Sequence, residues 1–300
     1  MKTLSFILSV IAIALAYTTN AQEQITVKQS QITVPSGNVA AYSVIIPQAM
    51  QPVVLKDWSR LVINETGRKS RKKPVMTKSE YSIDSVFIKQ IAEEPLNITS
   101  SFMQKENGVE MLAAFNYKGL YLDSSNQVMN ERASNYIRNF ALGQYRDAVK
   151  FELENEKEKL EAMNEKLAQL VKENTKYKKN IASYTNDTID LKQEIILQNK
   201  LKESKNQEIY QQEMNVSRAK GDPVNLKEQK KKLNAMKQDR KQISNKIKKN
   251  DKQIVSKVSD IENSKRQITL NEQEQERQKQ AIESQMKVVE QVKEKLDRIK

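Results

Sequence analysis

No histidine and no cysteine occur anywhere in the chain. The first absence removes the side chain that titrates nearest neutral pH and serves most often as general base and metal ligand. The second removes the thiol nucleophile, the thiolate ligands of structural zinc and every disulfide. Most hydrolase templates and the common zinc sites therefore fail on composition, and no cofactor or metal is expected. The six glycines are scattered, with none of the spacings that cradle phosphates. Adjacent acids such as Glu93 and Glu94 lie in a polar stretch and read as solvated surface rather than as a glycosidase pair. Composition leaves Ser/Lys catalysis open, but nothing places a Ser and a Lys in a shared buried site. The chain reads as non-enzymatic.

What the chain has in quantity is helix-forming, heptad-patterned sequence. From Ser124 to Lys300 one seam of the second half reads Leu226, Leu233, Ile247, Ile254, Ile261, Ile268, Ile282, Val289 and Leu296 at intervals of seven, interrupted by Arg240 and Gln275. The companion seam is apolar at its ends (Met236, Ile243; Val292, Ile299) and polar between, at Asn250, Lys257, Ser264, Asn271 and Gln278. The first half carries Leu153, Leu160, Met163, Leu167, Leu170, Tyr177, Ile181, Tyr184, Leu191 and Ile195, then loosens before Ile209 and Val216. A period near 3.5 implies left-handed supercoiling.

One break divides this stretch. Gly221 suits the left-handed residue after a helix, Asp222 caps the next helix, and Pro223 fits its first turn. The break predicts an antiparallel hairpin with arms 124–220 and 224–300 and a turn at 221–223, in which facing residues have numbers adding to about 441, so that Leu160 lies near Ile282 and Leu191 near Asn250. A straight helix that dimerises is the alternative that the Gly-Asp-Pro sequence disfavours.

The N-terminus reads differently. Lys2, an apolar run from Leu4 to Tyr17 and Thr19-Asn20-Ala21 form a signal-peptide pattern over residues 1–21, with cleavage after Ala21. The run is short for an uncleaved anchor, which needs roughly 20 residues. Export without disulfides points to the periplasm or envelope of a bacterium. Residues 22–123 read as a small α+β domain of antiparallel sheet and one covering helix. Ile32 and Val34, the turn Pro35-Ser36-Gly37-Asn38, and Ala40, Tyr42, Val44 and Ile46 predict a hairpin. Met50, Val54, Trp58 and Leu61, with Leu55 and Val62, mark the buried face of a helix. Leu96 to Phe102 and Val109 to Tyr117 flank Asn107-Gly108, a second hairpin. A strand over Tyr81–Ile91 has an alternation that breaks between Ile83 and Val86. Gly119 marks a bulge or bend, and Ser124 with Gln127 resembles a capping box that starts the long helix.

The segment Leu55-Lys56-Asp57-Trp58, the strand ending Phe115-Asn116-Tyr117-Lys118-Gly119-Leu120-Tyr121-Leu122 and the basic heptad tail together resemble a group of secreted Bacteroidota proteins with a small α+β domain and a C-terminal coiled coil. The resemblance implies location and architecture. It carries over no catalytic or binding residues.

Charge is the remaining functional signal. The net charge is +13. Between Lys227 and Lys257 there are twelve bases against three acids. The candidate surface for an anionic partner is Lys230, Lys231, Lys232, Arg240, Lys241, Lys246, Lys248, Lys249 and Lys252, read as a stripe that would attract an acidic protein, an anionic polymer or acidic lipid headgroups. A solvated helix face that keeps a thin coiled coil soluble is the bland reading of the same lysines. The export signal and the lack of interleaved aromatics disfavour nucleic acid. Three functions are consistent with this: an envelope spacer or protein-interaction module; a periplasmic holdase, since a small β-rich body with a basic helical hairpin is similar to the Skp/OmpH family, although that family builds its body from both chain ends and this body precedes the rod; and, least favoured, an efflux-type hairpin adaptor. The thin core and the off-seam residues Ile189, Ile196 and Leu197 predict a homodimer.

Overall fold

The computed structural model describes residues 25–66 and 73–299. The signal-like segment lies outside the described residues, and so do Arg68, Lys69, Arg71 and Lys72 of the basic cluster that the sequence places, with Lys73, in a loop between helix and strand. The order is β1 (Lys28–Val34), β2 (Gly37–Pro47), α1 (Gln51–Thr66), β3 (Val75–Met76), β4 (Glu80–Val86), β5 (Leu96–Lys105), β6 (Gly108–Tyr117), β7 (Leu120–Tyr121), α2 (Gln127–Arg218), a 3-10 turn (Ala219–Gly221) and α3 (Pro223–Arg298). The fold is α+β: a seven-stranded antiparallel sheet with a short helix, followed by two long helices that form a helical hairpin. The described residues fall into two compact units, one of those up to Glu158 together with those from Met286 on, and one of Lys159–Gln285.

In the first unit the sheet runs β1-β2-β6-β5-β4-β3, with β7 beside β6. Period-2 alternation sends Tyr42, Val44 and Ile46 of β2, Met111, Ala113 and Phe115 of β6, and Leu96, Ile98 and Phe102 of β5 to one face. There they pack with Val54, Leu55, Trp58 and Val62 of α1 and with Ile137, Val149 and Leu153 of α2. Met50 departs from the expected helix face: it precedes α1 and is exposed. The expected strand over Tyr81–Ile91 ends at Val86, with a register shift between Ile83 and Val86 where the alternation breaks and Ser85 takes a φ of 55°. Ile88 and Ile91 are fully buried from the loop that follows.

Of the two alternatives at Gly119 the structure has the bend: it is the second of two left-handed residues, after Lys118, in a tight turn joining β6 to β7. Two local expectations change. The cap of α2 is Asn126, whose Oδ1 accepts from Met129 N at 3.2 Å, and not Ser124. Gly221 closes a 3-10 turn without the positive φ expected of it, whereas Asp222 does cap α3, accepting from Val224 N at 3.0 Å and Asn225 N at 3.2 Å.

The compact body is also larger than residues 22–123. Val292 and Ile299 of the chain's far end are buried in the same core, with Val288, Val289 and Leu296 against it. Arg146 Nη2 donates to Ile299 O at 2.9 Å, and Lys295 meets Glu152 at 3.2 Å. The body is thus built from both ends of the chain, contrary to the expectation that it simply precedes the rod. The apolar return of the companion seam at Val292 and Ile299 is what this contact uses.

The second unit is an antiparallel two-stranded coiled coil. Writing its heptads with Leu160 and Leu226 at position a and Met163 and Gln229 at position d, ion pairs join e to e (Lys178–Glu272, 3.7 Å; Lys237–Glu213, 2.8 Å) and g to g (Lys166–Glu274, 3.3 Å). Like-to-like flanking pairs are what an antiparallel arrangement requires. The register is close to that expected, since Gln278 Nε2 donates to Met163 O at 2.9 Å and Gln212 Nε2 to Gln229 Oε1 at 2.8 Å.

The polar seam is the more deeply covered one. Asn250, Ser264, Asn271 and Gln278 are buried, while Ile247, Ile254, Ile261 and Ile268 are half-buried. Amides in such layers cost stability and fix register where they find a partner across the seam, as Gln278 does on Met163 O. Asn250 is the weakest layer, its Nδ2 buried without a hydrogen-bond partner. Replacing it by leucine is expected to stabilise the hairpin by about 1 kcal/mol, since a lost desolvation penalty and a gained apolar contact act together. Thermal unfolding followed by helical circular dichroism checks this; a lower midpoint would show that Asn250 is satisfied in solution.

Candidate anion-binding surface of the hairpin

All nine basic residues singled out from the sequence lie on α3 near the turn, and all nine are exposed. The heptad positions disperse them: Lys230 at e, Lys231 and Lys252 at f, Lys232 and Lys246 at g, Lys241 and Lys248 at b, Lys249 at c and Arg240 at a. The stripe expected from the sequence is therefore a coat around the outside of the helix. Two members have local partners. Lys232 pairs with Glu228 at 2.8 Å, a hydrogen bond that holds the Glu228 carboxyl below its ordinary range, and Arg240 Nη1 donates to Asn206 Oδ1 at 3.5 Å. The other seven make no ion pair among the described residues. Their charge is left to counter-ions, which an anionic partner would release.

Lys257, the last base of the run, is used internally. It reaches back to Asp187 at 2.8 Å and lies 4.8 Å from the centroid of the Tyr184 ring. The Asp187 hydrogen bond, with smaller charge contributions from Tyr184 and Asp260, raises its pKa. It lines an open groove of about 370 Å³ with Asp187, Asp190, Leu191, Glu194, Gln253 and Ser256. These residues occupy positions g, c and d of the two helices, a pattern present in the sequence but visible only once the arms are paired. No group of three or more acidic residues among the described residues is arranged to hold a metal ion. No helix among them is long and apolar enough to cross a membrane.

The body holds buried polar groups of its own. Trp58 Nε1, Ser100 Oγ and the Tyr136 hydroxyl have no hydrogen-bond partner among the described residues. Burial pushes the Tyr81 hydroxyl up to about 12 and raises that of Tyr136 further, with Glu65 and Tyr81 adding to the effect on Tyr136. Both therefore remain neutral donors across the physiological range. Sequence reasoning took Trp58 as core, and its ring packs edge-on to Phe140 and Tyr136 at centroid distances of 5.0 and 5.7 Å.

Fold and surface together define a class: a small antiparallel α+β body that closes on both chain ends, continuous with a coiled-coil hairpin that is cationic toward its turn. The chain matches no protein-family model, and no curated protein matches it.

Proposed function

We propose that the chain is a non-enzymatic, exported protein of a bacterial envelope that acts as a coiled-coil spacer or protein-interaction module. The observation that carries this reading is the way the hairpin is specified. Buried amides at Asn174, Gln212 and Gln278 and like-to-like ion pairs fix the alignment of two helices that bury little apolar area. Register held at the expense of stability suits an element whose surface must be presented in one arrangement. The body serves as the docking element, and the test is whether the chain retains a discrete envelope protein in a complex that survives salt.

A second reading, a holdase-like chaperone or anionic-polymer binder, is favoured by the uncompensated lysines and by the body's use of both chain ends. That second feature supports the likeness to the Skp/OmpH family, whose body is assembled from both chain ends. For this reading, changing Lys231, Lys246, Lys249 and Lys252 to Gln is expected to weaken binding to anionic phospholipid vesicles or polyphosphate by about tenfold or more, and to flatten its dependence on salt by an amount matching the charges removed. Sedimentation with vesicles across a salt series checks this. Equal binding by both forms leaves these lysines a solubilising coat.

A further inference from the structure

The hairpin's two flanks differ. Positions e and b lie on one side of each helix, and the pairs Lys178–Glu272 and Lys237–Glu213 show that the e sides of the two helices face the same way. On this flank Ile189 and Ile196 of α2 and Val255 of α3 occupy b, and Val258 occupies e; they are 48%, 56%, 70% and 43% exposed. The Lys257–Asp187 contact sets Val255 and Val258 at the level of Ile189, an apolar patch midway along the hairpin, with Ile196 two helical turns nearer the loop. The opposite flank at the same level is the carboxylate-lined groove, and Leu197, expected to act with Ile189 and Ile196, lies on that other flank at position c, with Leu201 exposed near it at g.

Charge along the e and b positions of α3 changes sign at this patch. Toward the turn they carry Lys227, Lys230, Lys237, Lys241 and Lys248 against Asp251. Toward the open end they carry Glu262, Glu272, Glu276 and Glu283 against Lys265 and Lys279. Lys248 and Glu262 stand at equal distances on either side of Val255, and so do Lys227 and Glu283. All four are exposed and none has an ion-pair partner among the described residues.

We infer that this flank is a homodimer interface, on which a second copy of the chain packs antiparallel about a two-fold axis at the level of Val255. Under that operation α3 lies against its counterpart in reverse direction. The apolar patch meets itself, and Lys248 and Lys227 of each copy meet Glu262 and Glu283 of the other. A two-fold axis parallel to the helices would instead set α3 against α2 of the other copy, with Lys248 at the level of Ile196 rather than of a carboxylate. The second copy also covers the isoleucines and valines that two helices alone leave in water, as a four-helix bundle does.

The chain lacks cysteine, so single introduced thiols report orientation without background. Lys248→Cys and Glu262→Cys chains are mixed, allowed to exchange and oxidised. The expected product is the disulfide joining the two different variants, and predominant coupling of Lys248→Cys to itself overturns the antiparallel arrangement. Light scattering on the unsubstituted chain is expected to give twice the chain mass at micromolar concentration, and a monomer mass overturns the inference outright. Ile189→Asp with Val255→Asp is expected to raise the dimer dissociation constant at least about tenfold with helix content unchanged. Leu270→Asp, at position c on the other flank, leaves it unchanged. If Leu270→Asp dissociates the dimer and the first pair does not, the interface lies on the other flank.

Discussion

Gly108→Ala is expected to open the corner of the body where β2, β5 and β6 meet. Gly108 begins β6, pairs with Pro47 on one side and Lys105 on the other, and has a φ of +150°. A methyl group there would run into the carbonyl oxygen of Ile46 and stand 2.9 Å from Pro47 Cα. Those neighbours are backbone, so no rotamer change relieves the clash. The strands must part, with loss of the Gln48 N to Asn107 O bond of 2.9 Å. A cost of about 3 kcal/mol or more follows, which is a large share of a small domain's stability. Two other glycines provide the scale. Gly37→Ala meets open space but keeps a φ of +116°, so only the backbone strain of about 1 kcal/mol applies. Gly143→Ala, inside α2 with nothing within 4 Å, is expected to stabilise by about 0.5–1 kcal/mol. Because the coiled coil dominates the far-ultraviolet signal, hydrogen exchange of β5 and β6 peptides is the appropriate readout. Equal protection in Gly108→Ala and Gly37→Ala chains would refute the close-approach argument.

Trp58→Ala should cost about 3–5 kcal/mol, the range for deleting a fully buried large aromatic. Its side chain has no exposure and sits edge-on to both Phe140 and Tyr136, so the substitution removes the contact through which α1 holds the start of α2. Trp58→Phe is expected to cost much less. The indole N–H has no partner to lose, and a phenyl ring keeps most of the edge-to-face packing. Comparable losses for Phe and Ala in hydrogen exchange would show that the N–H is bonded in solution.

Much of this architecture was legible because its signals are local or periodic. The heptads and Asp222-Pro223 are read by counting, and they predicted a hairpin whose register Gln278 and Met163 keep. Asn107-Gly108 announced the β5–β6 hairpin, but it could not show that Gly108 is required by the passing backbone of Ile46, a contact made across the sheet. Ser124 satisfied a capping pattern that Asn126 also nearly satisfies, and a few residues of loop conformation decide between them. The closure of Val292 and Ile299 into the body was hidden because an apolar residue at d looks the same whether its partner is one helix or a whole core. The identities of the basic residues were readable. Their dispersal follows from assigning each to a heptad position, and so does the flank formed by Ile189, Ile196, Val255 and Val258.

The most direct test of the interaction-module proposal, with the bacterial envelope location it includes, is affinity capture from a detergent-treated bacterial envelope fraction. The intact chain is run beside the chain carrying Gln at positions 231, 246, 249 and 252, and retained proteins are identified by mass spectrometry. The predicted result is the same one or two proteins retained by both forms, in complexes that re-form from purified components and persist in salt. Retention of many unrelated outer-membrane proteins or of anionic polymer by the unsubstituted chain, lost in the substituted one, would contradict this account and make the cationic end of the hairpin the working surface.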